Sequence, residues 1–128
     1  MKLAAVTFLV RDYDEAIAWF VDVLGFELVE DTQLSESKRW VRVAPPNSEF
    51  SLLLAKADTP AQINAVGLAA GGRVGYFLHV ENFTKTYDQL KAKGIRFREN
   101  PRHEVYGSVA VFDDLYGNGW DLIGPPKT

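Results

Sequence analysis

The chain has 128 residues, of which 47% are hydrophobic and 24% are charged, and its formal net charge is −3. This length suits one globular domain, and the lack of a basic stripe argues against a nucleic-acid partner. Without cysteine, the sequence excludes disulfides, thiolate metal ligands and cysteine nucleophiles. No apolar run approaches the roughly 18 residues of a membrane span, and no signal peptide is recognisable, so we expect a cytoplasmic protein.

The first half of the chain predicts a strand, a helix and three further strands. Residues 3–10 are an apolar, β-branched run that is typical of a strand. One face of the predicted helix carries apolar residues at helical spacing, namely Ile17, Phe20, Val21 and Leu24. Asp12 and Glu15 stand at capping-box spacing where this helix begins, and Gly25 suits its end. The three strands that follow are predicted over residues 26–33, 39–44 and 50–55.

The second half repeats this pattern. Residues 74–80 predict a strand, Asn82 a helix cap and Gly94 a helix end. Three more strands are predicted over residues 95–99, 108–113 and 119–123. Asp12 to Gly25 and Glu81 to Gly94 both span 13 positions, so the two pairs are offset by 69 residues. Because the same offset also aligns two strands of each half, the sequence predicts a duplicated unit.

We therefore predict an α+β fold of two tandem βαβββ modules. The modules occupy residues 1–55 and 73–124, and residues 56–72, rich in alanine and glycine, form the linker. Since one helix covers only one face of each sheet, the other face needs a partner. Two such sheets can curl into a partly closed mixed β-sheet barrel around a cavity in which a ligand would bind.

Five short motifs follow one another along nearly the whole chain: Val10-Arg11-Asp12, Leu24-Gly25-Phe26, Arg39-Trp40, Gly94-Ile95-Arg96-Phe97 and Phe112-Asp113-Asp114-Leu115-Tyr116-Gly117-Asn118. In order and spacing they resemble the vicinal-oxygen-chelate superfamily, which includes glyoxalases, bleomycin-resistance proteins and dioxygenases. The last motif departs from the family's usual Asp-Pro-x-Gly-Asn, because Leu115 replaces the proline. The resemblance implies the glyoxalase-like fold and a homodimer.

The resemblance also implies four metal-ligand positions, on the first and last strands of each module. They fall at Ala5, Leu52 (or Ser51 if the register slips), Val74 or Gly75, and Asp121. In this family the metal polarises a substrate oxygen, which needs about three protein ligands with lone pairs. Only Asp121 offers a carboxylate, so we expect neither the family metal nor another cofactor.

Strand alternation predicts the side chains that face the cavity. The candidate ligand-binding residues are Thr7, Trp40, Arg42, His79, Tyr106 and Asp121. Trp40 is either a packing residue or a stacking surface for a planar ligand. Arg42 and Asp121 either pair with each other or receive a ligand, Arg42 taking an anionic or carbonyl oxygen and Asp121 an amine or hydroxyl. Tyr106, in the loop at residues 104–107, either closes the mouth of the cavity or is simply exposed.

Three functions remain open on these residues. The first is a metal-independent protein of the bleomycin-resistance type that binds a small apolar, aromatic or cationic molecule in its cavity. The second is a glyoxalase-like lyase or isomerase, or a dioxygenase-related enzyme, with a non-standard site that uses His79 or Asp121 as a base. The third is an interaction module whose cavity has filled in. The sequence carries no nucleophile elbow, phosphate-binding loop or His-Glu-x-x-His motif.

Overall fold

The computed structural model describes residues 1–127, which form two compact units. The first unit spans Met1–Gly67, and the second begins at Leu68. Each unit holds one four-stranded mixed sheet with a helix beside it. The predicted α+β class with two βαβββ repeats is thereby confirmed. Each sheet keeps two edge strands, so neither sheet closes into a barrel.

The first unit contains β1 (Ala5–Val10), α1 (Tyr13–Ala18), β2 (Glu27–Gln33), β3 (Arg39–Ala44), β4 (Ser51–Lys56) and α2 (Pro60–Ala65). Its sheet has the order β1-β4-β3-β2, with β1 parallel to β4 and the other pairs antiparallel. As the capping-box spacing predicts, the Asp12 carboxylate caps α1 by accepting the Glu15 N–H at 2.8 Å. The sequence did not predict α2, which Thr59 caps and which begins with Pro60.

One face of the first sheet packs on α1. Phe8, Val10, Val41 and Val43 on this face are completely or almost completely buried. The Phe8 ring meets Phe20 of the helical segment edge to face, with centroids 5.2 Å apart. The residues that alternate with them, such as Thr7 and Trp40, lie on the opposite face, which we call the open face of the first sheet.

The second unit contains β5 (Val74–His79), α3 (Phe83–Ala92), β6 (Arg102–Glu104), β7 (Gly107–Asp113) and β8 (Gly119–Gly124). Its sheet has the order β5-β8-β7-β6, which repeats the order of the first sheet. Asn82 caps α3 as predicted, its side chain accepting the Lys85 N–H at 3.1 Å. Gly94 follows the helix with a φ of 90°, a left-handed conformation that favours glycine.

The strand predicted at residues 95–99 is wrong. Phe97 makes one isolated bridge to β7, and the Arg98 N–H donates to the Val111 carbonyl at 2.8 Å. The chain then bends, and regular pairing with β7 begins only in β6, after Pro101. Because proline has no N–H to donate, it interrupts a ladder that the apolar pattern alone would extend.

The repeat is real, but its offset is not uniform. The capping residues Asp12 and Asn82 are 70 positions apart, whereas the glycines that follow the helices, Gly25 and Gly94, are 69 apart. The additional residue of the first unit is accommodated because α1 continues as a π-helical turn over Trp19–Val23. A π-helical turn of this kind inserts one residue into a helix without ending it.

Candidate functional site

The register of β4 corrects one of the predicted metal-ligand positions. Leu52 pairs with Val6 and Val43 on the side that faces α1, and it is 5% exposed. Leu53 lies on the open face and pairs with Thr7. In the second unit Asp121 pairs in the same way with Phe77 of β5. The assignment of Leu52 is therefore wrong by one residue, because the loop before β4 is one residue longer than the loop before β8.

The side chains at the family positions do not fit a divalent ion. Ala5, Leu53 and Gly75, the last sharing a face with Phe77, have no side-chain lone pair to offer. The neighbouring Ser51 hydroxyl accepts a hydrogen bond from Arg42 at 3.3 Å. Asp121 remains as the one carboxylate of the set. Within residues 1–127, no three histidine or carboxylate side chains are grouped so that they could hold a metal.

A groove of about 510 Å³ lies at the end of the first sheet where β1 and β4 end and β3 begins, and open-face residues such as Thr7, Leu9 and Leu53 line part of it. Its lining residues are Thr7, Leu9, Tyr13, Leu34, Ser37, Lys38, Arg39, Trp40, Leu53, Leu54, Ala55, Lys56, Asp58 and Gln62. Leu9 and Leu53 give it apolar walls, and the Trp40 side chain, 41% exposed, lines it as well. A mostly apolar concavity with a few polar groups is the usual make-up of a small-molecule site. We call this concavity the Trp40 groove.

Two predicted ligand-binding residues, Thr7 and Trp40, are brought together in the Trp40 groove. Arg42 lies on the same face but is engaged elsewhere, since its Nε donates to Glu30 Oε1 at 3.0 Å. Glu30 lies directly opposite Arg42 on β2, just after an irregularity in the register of that strand. The carboxylate that neutralises Arg42 is thus Glu30, instead of Asp121 as one interpretation of the sequence had it.

Arg39 forms an ion cluster that the sequence analysis missed. Its Nε and Nη2 donate to the two carboxylate oxygens of Asp31 at 3.1 and 2.6 Å, and its Nη1 donates to Asp14 at 2.9 Å. The guanidinium also lies 5.2 Å from the centre of the Tyr13 ring. Because Asp31 belongs to β2 while Asp14 and Tyr13 belong to α1, Arg39 ties the hairpin that carries Trp40 to the helix.

The ion cluster leads to a prediction about the protonation of Asp31. Arg39 lowers the pKa of Asp31 through its hydrogen bonds, so this carboxylate adds stability above pH 4 that is lost as the pH falls through the lowered pKa. We expect Arg39→Met to return the pKa of Asp31 toward 3.8, measured by NMR titration of side-chain carboxyl carbons. Lys38→Met, one residue away, should leave it low. A low pKa that persists in Arg39→Met would contradict the assignment.

On the second sheet, Asp121 and His79 share the face opposite α3 with Phe77. Burial raises the pKa of Asp121, the positive charge of Arg102 opposes this rise, and the negative charge of Glu99 adds to it. His79 is the last residue of β5, as predicted, and is exposed. Asp121 is therefore a half-buried carboxylate with a raised pKa.

Tyr106 lies with Val105 in the two-residue turn between β6 and β7, where Glu104 pairs with Gly107. Both turn side chains are largely exposed. Tyr106 and Glu99 both help to raise the pKa of Arg102. The position of Tyr106 in this loop is as predicted, and its role in closing a cavity stays a prediction.

Asp114 is the most densely hydrogen-bonded carboxylate of the second unit. It is 5% exposed and accepts the Tyr116 N–H at 2.9 Å, the Asn118 N–H at 3.1 Å, the Asn118 side-chain amide at 3.0 Å and the Trp120 Nε1–H at 2.9 Å. Burial raises the pKa of Asp114, and these hydrogen bonds act in the opposite direction. With its oxygens so occupied, Asp114 orders the loop before β8 and is not available to a ligand.

The chain belongs to the Glyoxalase/Bleomycin resistance protein/Dioxygenase superfamily, whose family profile matches residues 2–122. The resemblance inferred from its motifs is confirmed. An uncharacterized protein of Shewanella frigidimarina (strain NCIMB 400) is 49% identical over 95% of this chain and 92% of its own. No helix within residues 1–127 is long and apolar enough to cross a membrane.

Two solved structures share this fold, and one of them is described as a binding protein. UcmS2 is 35% identical, covers 96% of this chain and 97% of its own, and superposes with a TM-score of 0.83. TnmS3, described as an antibiotic binding protein from Streptomyces sp. CB03234, is 26% identical over 98% of this chain and 96% of its own, with a TM-score of 0.80.

Proposed function

We propose that this protein binds a small apolar or aromatic molecule in the Trp40 groove without the family metal. The observation that carries the proposal is a concavity of about 510 Å³ with apolar walls and a partly exposed tryptophan. An indole ring left partly exposed beside apolar walls offers a planar ligand both stacking and burial of apolar surface. The description of TnmS3 as an antibiotic binding protein supports the same class of function.

The donor set supports a mechanism without a metal. Ala5, Leu53 and Gly75 cannot replace the water shell of a divalent ion, and a single carboxylate does not hold such an ion against water. Recognition in the groove then rests on shape, apolar contact and hydrogen bonds from Thr7 and other rim residues.

The enzymatic alternative, a glyoxalase-like lyase or isomerase or a dioxygenase-related enzyme, would use His79 or Asp121 as its base. The raised pKa of Asp121 would suit that role. However, the charged groups that influence the pKa of Asp121 act in opposite directions, because Arg102 lowers it and Glu99 raises it, and His79 is exposed. The third alternative, an interaction module with a filled cavity, is disfavoured because the Trp40 groove is open. Binding is therefore the function that these residues support best.

The proposal is tested with N-phenyl-1-naphthylamine, an uncharged aromatic dye whose fluorescence rises in apolar surroundings. We expect saturable binding with the same Kd before and after EDTA treatment, and elemental analysis should find no stoichiometric transition metal. Loss of binding on chelation that zinc or manganese restores would overturn the metal-independent mechanism. Failure of the dye to bind under any condition would overturn the groove proposal itself.

We further propose that the protein is cytoplasmic, that its partner is a small-molecule ligand and that it forms the homodimer that the family resemblance implies. Light scattering on the purified protein tests the dimer, since a single 14.3 kDa species would contradict it. Cell fractionation tests the location, and recovery of the protein outside the cytoplasm would contradict that part of the proposal.

A further inference from the structure

We infer that the ligand of the Trp40 groove is an aromatic anion whose acidic group meets Lys38 and Lys56. This inference rests on the proposed function and narrows it, because it names the charge of the ligand as well as its apolar part. Both lysines line the groove, Lys38 from the loop between β2 and β3 and Lys56 from the end of β4.

The two lysines are the uncompensated cations of the groove. Within residues 1–127, no carboxylate lies within 4.0 Å of either ammonium group, although other cations such as Arg39 and Arg42 form salt bridges. Arg39, the third cation of the lining, is already neutralised by Asp14 and Asp31. The groove can therefore offer the charge of its lysines to a ligand without first breaking an internal ion pair.

One carboxylate, Asp58, also lines the groove, so two available cations stand against one anion. Even if Asp58 screens Lys56, which is two residues away, the charge of Lys38 remains. The excess is one of unpaired cations and not of net charge, because Asp14 and Asp31 together carry one negative charge more than the Arg39 with which they pair. A cationic ligand could pair only with Asp58 in the groove, whereas an anionic ligand could pair with two ammonium groups.

The backbone of Lys38 is held in a defined position. Its N–H donates to Ser35 Oγ at 3.1 Å, and its carbonyl accepts the N–H groups of Leu34 at 2.9 Å and Ser35 at 3.1 Å. Leu34 of the same tight loop lines the groove as well. A lysine stem can lie along apolar wall while its ammonium group stays in water, so the loop presents apolar surface and positive charge side by side.

The arrangement thus has two parts, an aromatic and aliphatic wall at Trp40, Leu9 and Leu53 and a positively charged rim at Lys38 and Lys56. A molecule that matches both parts has a fused or linked aromatic ring system and one carboxylate, sulfonate or phenolate. A purely apolar molecule would contact the wall but would form no ion pair with the lysines of the rim.

Two dyes with the same ring skeleton, one anionic and one uncharged, distinguish a groove that prefers an aromatic anion from one that binds any apolar molecule. 1-Anilinonaphthalene-8-sulfonate differs from N-phenyl-1-naphthylamine by its sulfonate. We expect the sulfonate dye to bind more tightly to the wild-type protein, and its binding to weaken with added sodium chloride. The double variant Lys38→Met/Lys56→Met removes both charges and keeps apolar side chains of similar length. It should weaken binding of the sulfonate dye about tenfold, whereas the affinity for the uncharged dye should change by about twofold at most.

The matched control is Lys85→Met/Lys93→Met, which removes the charges of two exposed lysines at α3 of the second unit and should change neither affinity. Asp58→Asn should tighten binding of the sulfonate dye, because it removes the one opposing charge. Equal affinities of the two dyes for the wild type, or an unchanged affinity in the Lys38/Lys56 variant, would overturn the anion inference while the groove proposal stands. Absence of binding by both dyes would instead overturn the groove proposal.

Discussion

Replacing Asp114 with alanine is expected to lower the free energy of unfolding by about 3–5 kcal/mol. The carboxylate accepts four hydrogen bonds, two of them from the side chains of Asn118 and Trp120. In Asp114→Ala these buried donors lose the carboxylate that accepts from them, and each buried hydrogen bond lost in this way costs about 1–3 kcal/mol before the loop relaxes. Urea unfolding followed by circular dichroism measures the change.

The neighbouring residue provides the control. Asp113 forms an ion pair with Arg98, 2.6 Å long, with both side chains partly exposed. Asp113→Ala should therefore cost no more than about 1 kcal/mol, because exposed ion pairs contribute little. If the two alanine variants were equally stable, Asp114 would not be the residue that orders the loop before β8.

Replacing Trp40 with alanine is expected to weaken binding of N-phenyl-1-naphthylamine about 30-fold, which corresponds to about 2 kcal/mol. The indole is 41% exposed at the groove, so its loss should remove ligand contacts at little cost to the core. A fluorescence titration gives the two dissociation constants, and the unfolding midpoint of the variant shows that its fold is intact.

Phe50→Ala is the matched control for this prediction. Phe50 is also aromatic and similarly exposed, at 38%, but it lies in the loop before β4 and does not line the groove. Its replacement should leave the dissociation constant within about twofold of wild type. Equal losses in the two variants would indicate that the dye binds exposed aromatic residues in general, and the Trp40 groove would then not be the site.

The motif that carries much of the family resemblance has a structural role in this chain. Asp114, Asn118 and Trp120 form one buried hydrogen-bonded network, and the Asn118 side chain also accepts the Ala69 N–H at 3.1 Å. The network fixes the start of β8, two residues before Asp121. The motif therefore serves the fold of this chain, and its presence is no evidence for or against a metal site.

Local patterns in the sequence determined most of the fold. Alternation on β3 separated Val41 and Val43 from Trp40, and the capping signals at Asp12 and Asn82 marked where both long helical segments begin. Each of these features depends on residues that are neighbours in the chain, and their physical cause is local: backbone donors need caps, and a strand presents alternate faces. The repeated order of such signals was enough to indicate the family.

The tertiary structure decided what depends on register and on contacts between distant residues. The π-helical turn in the first unit and the loop before β4 each shift the repeat by one residue, and the longer loop before β4 places Leu53 instead of Leu52 on the open face. Arg42 pairs with Glu30 on the neighbouring strand, and Arg39 pairs with Asp14, which lies 25 positions earlier in the chain. No sequence spacing encodes such pairings, because a single-residue slip reverses the face of every side chain in a strand and so redefines which charges meet.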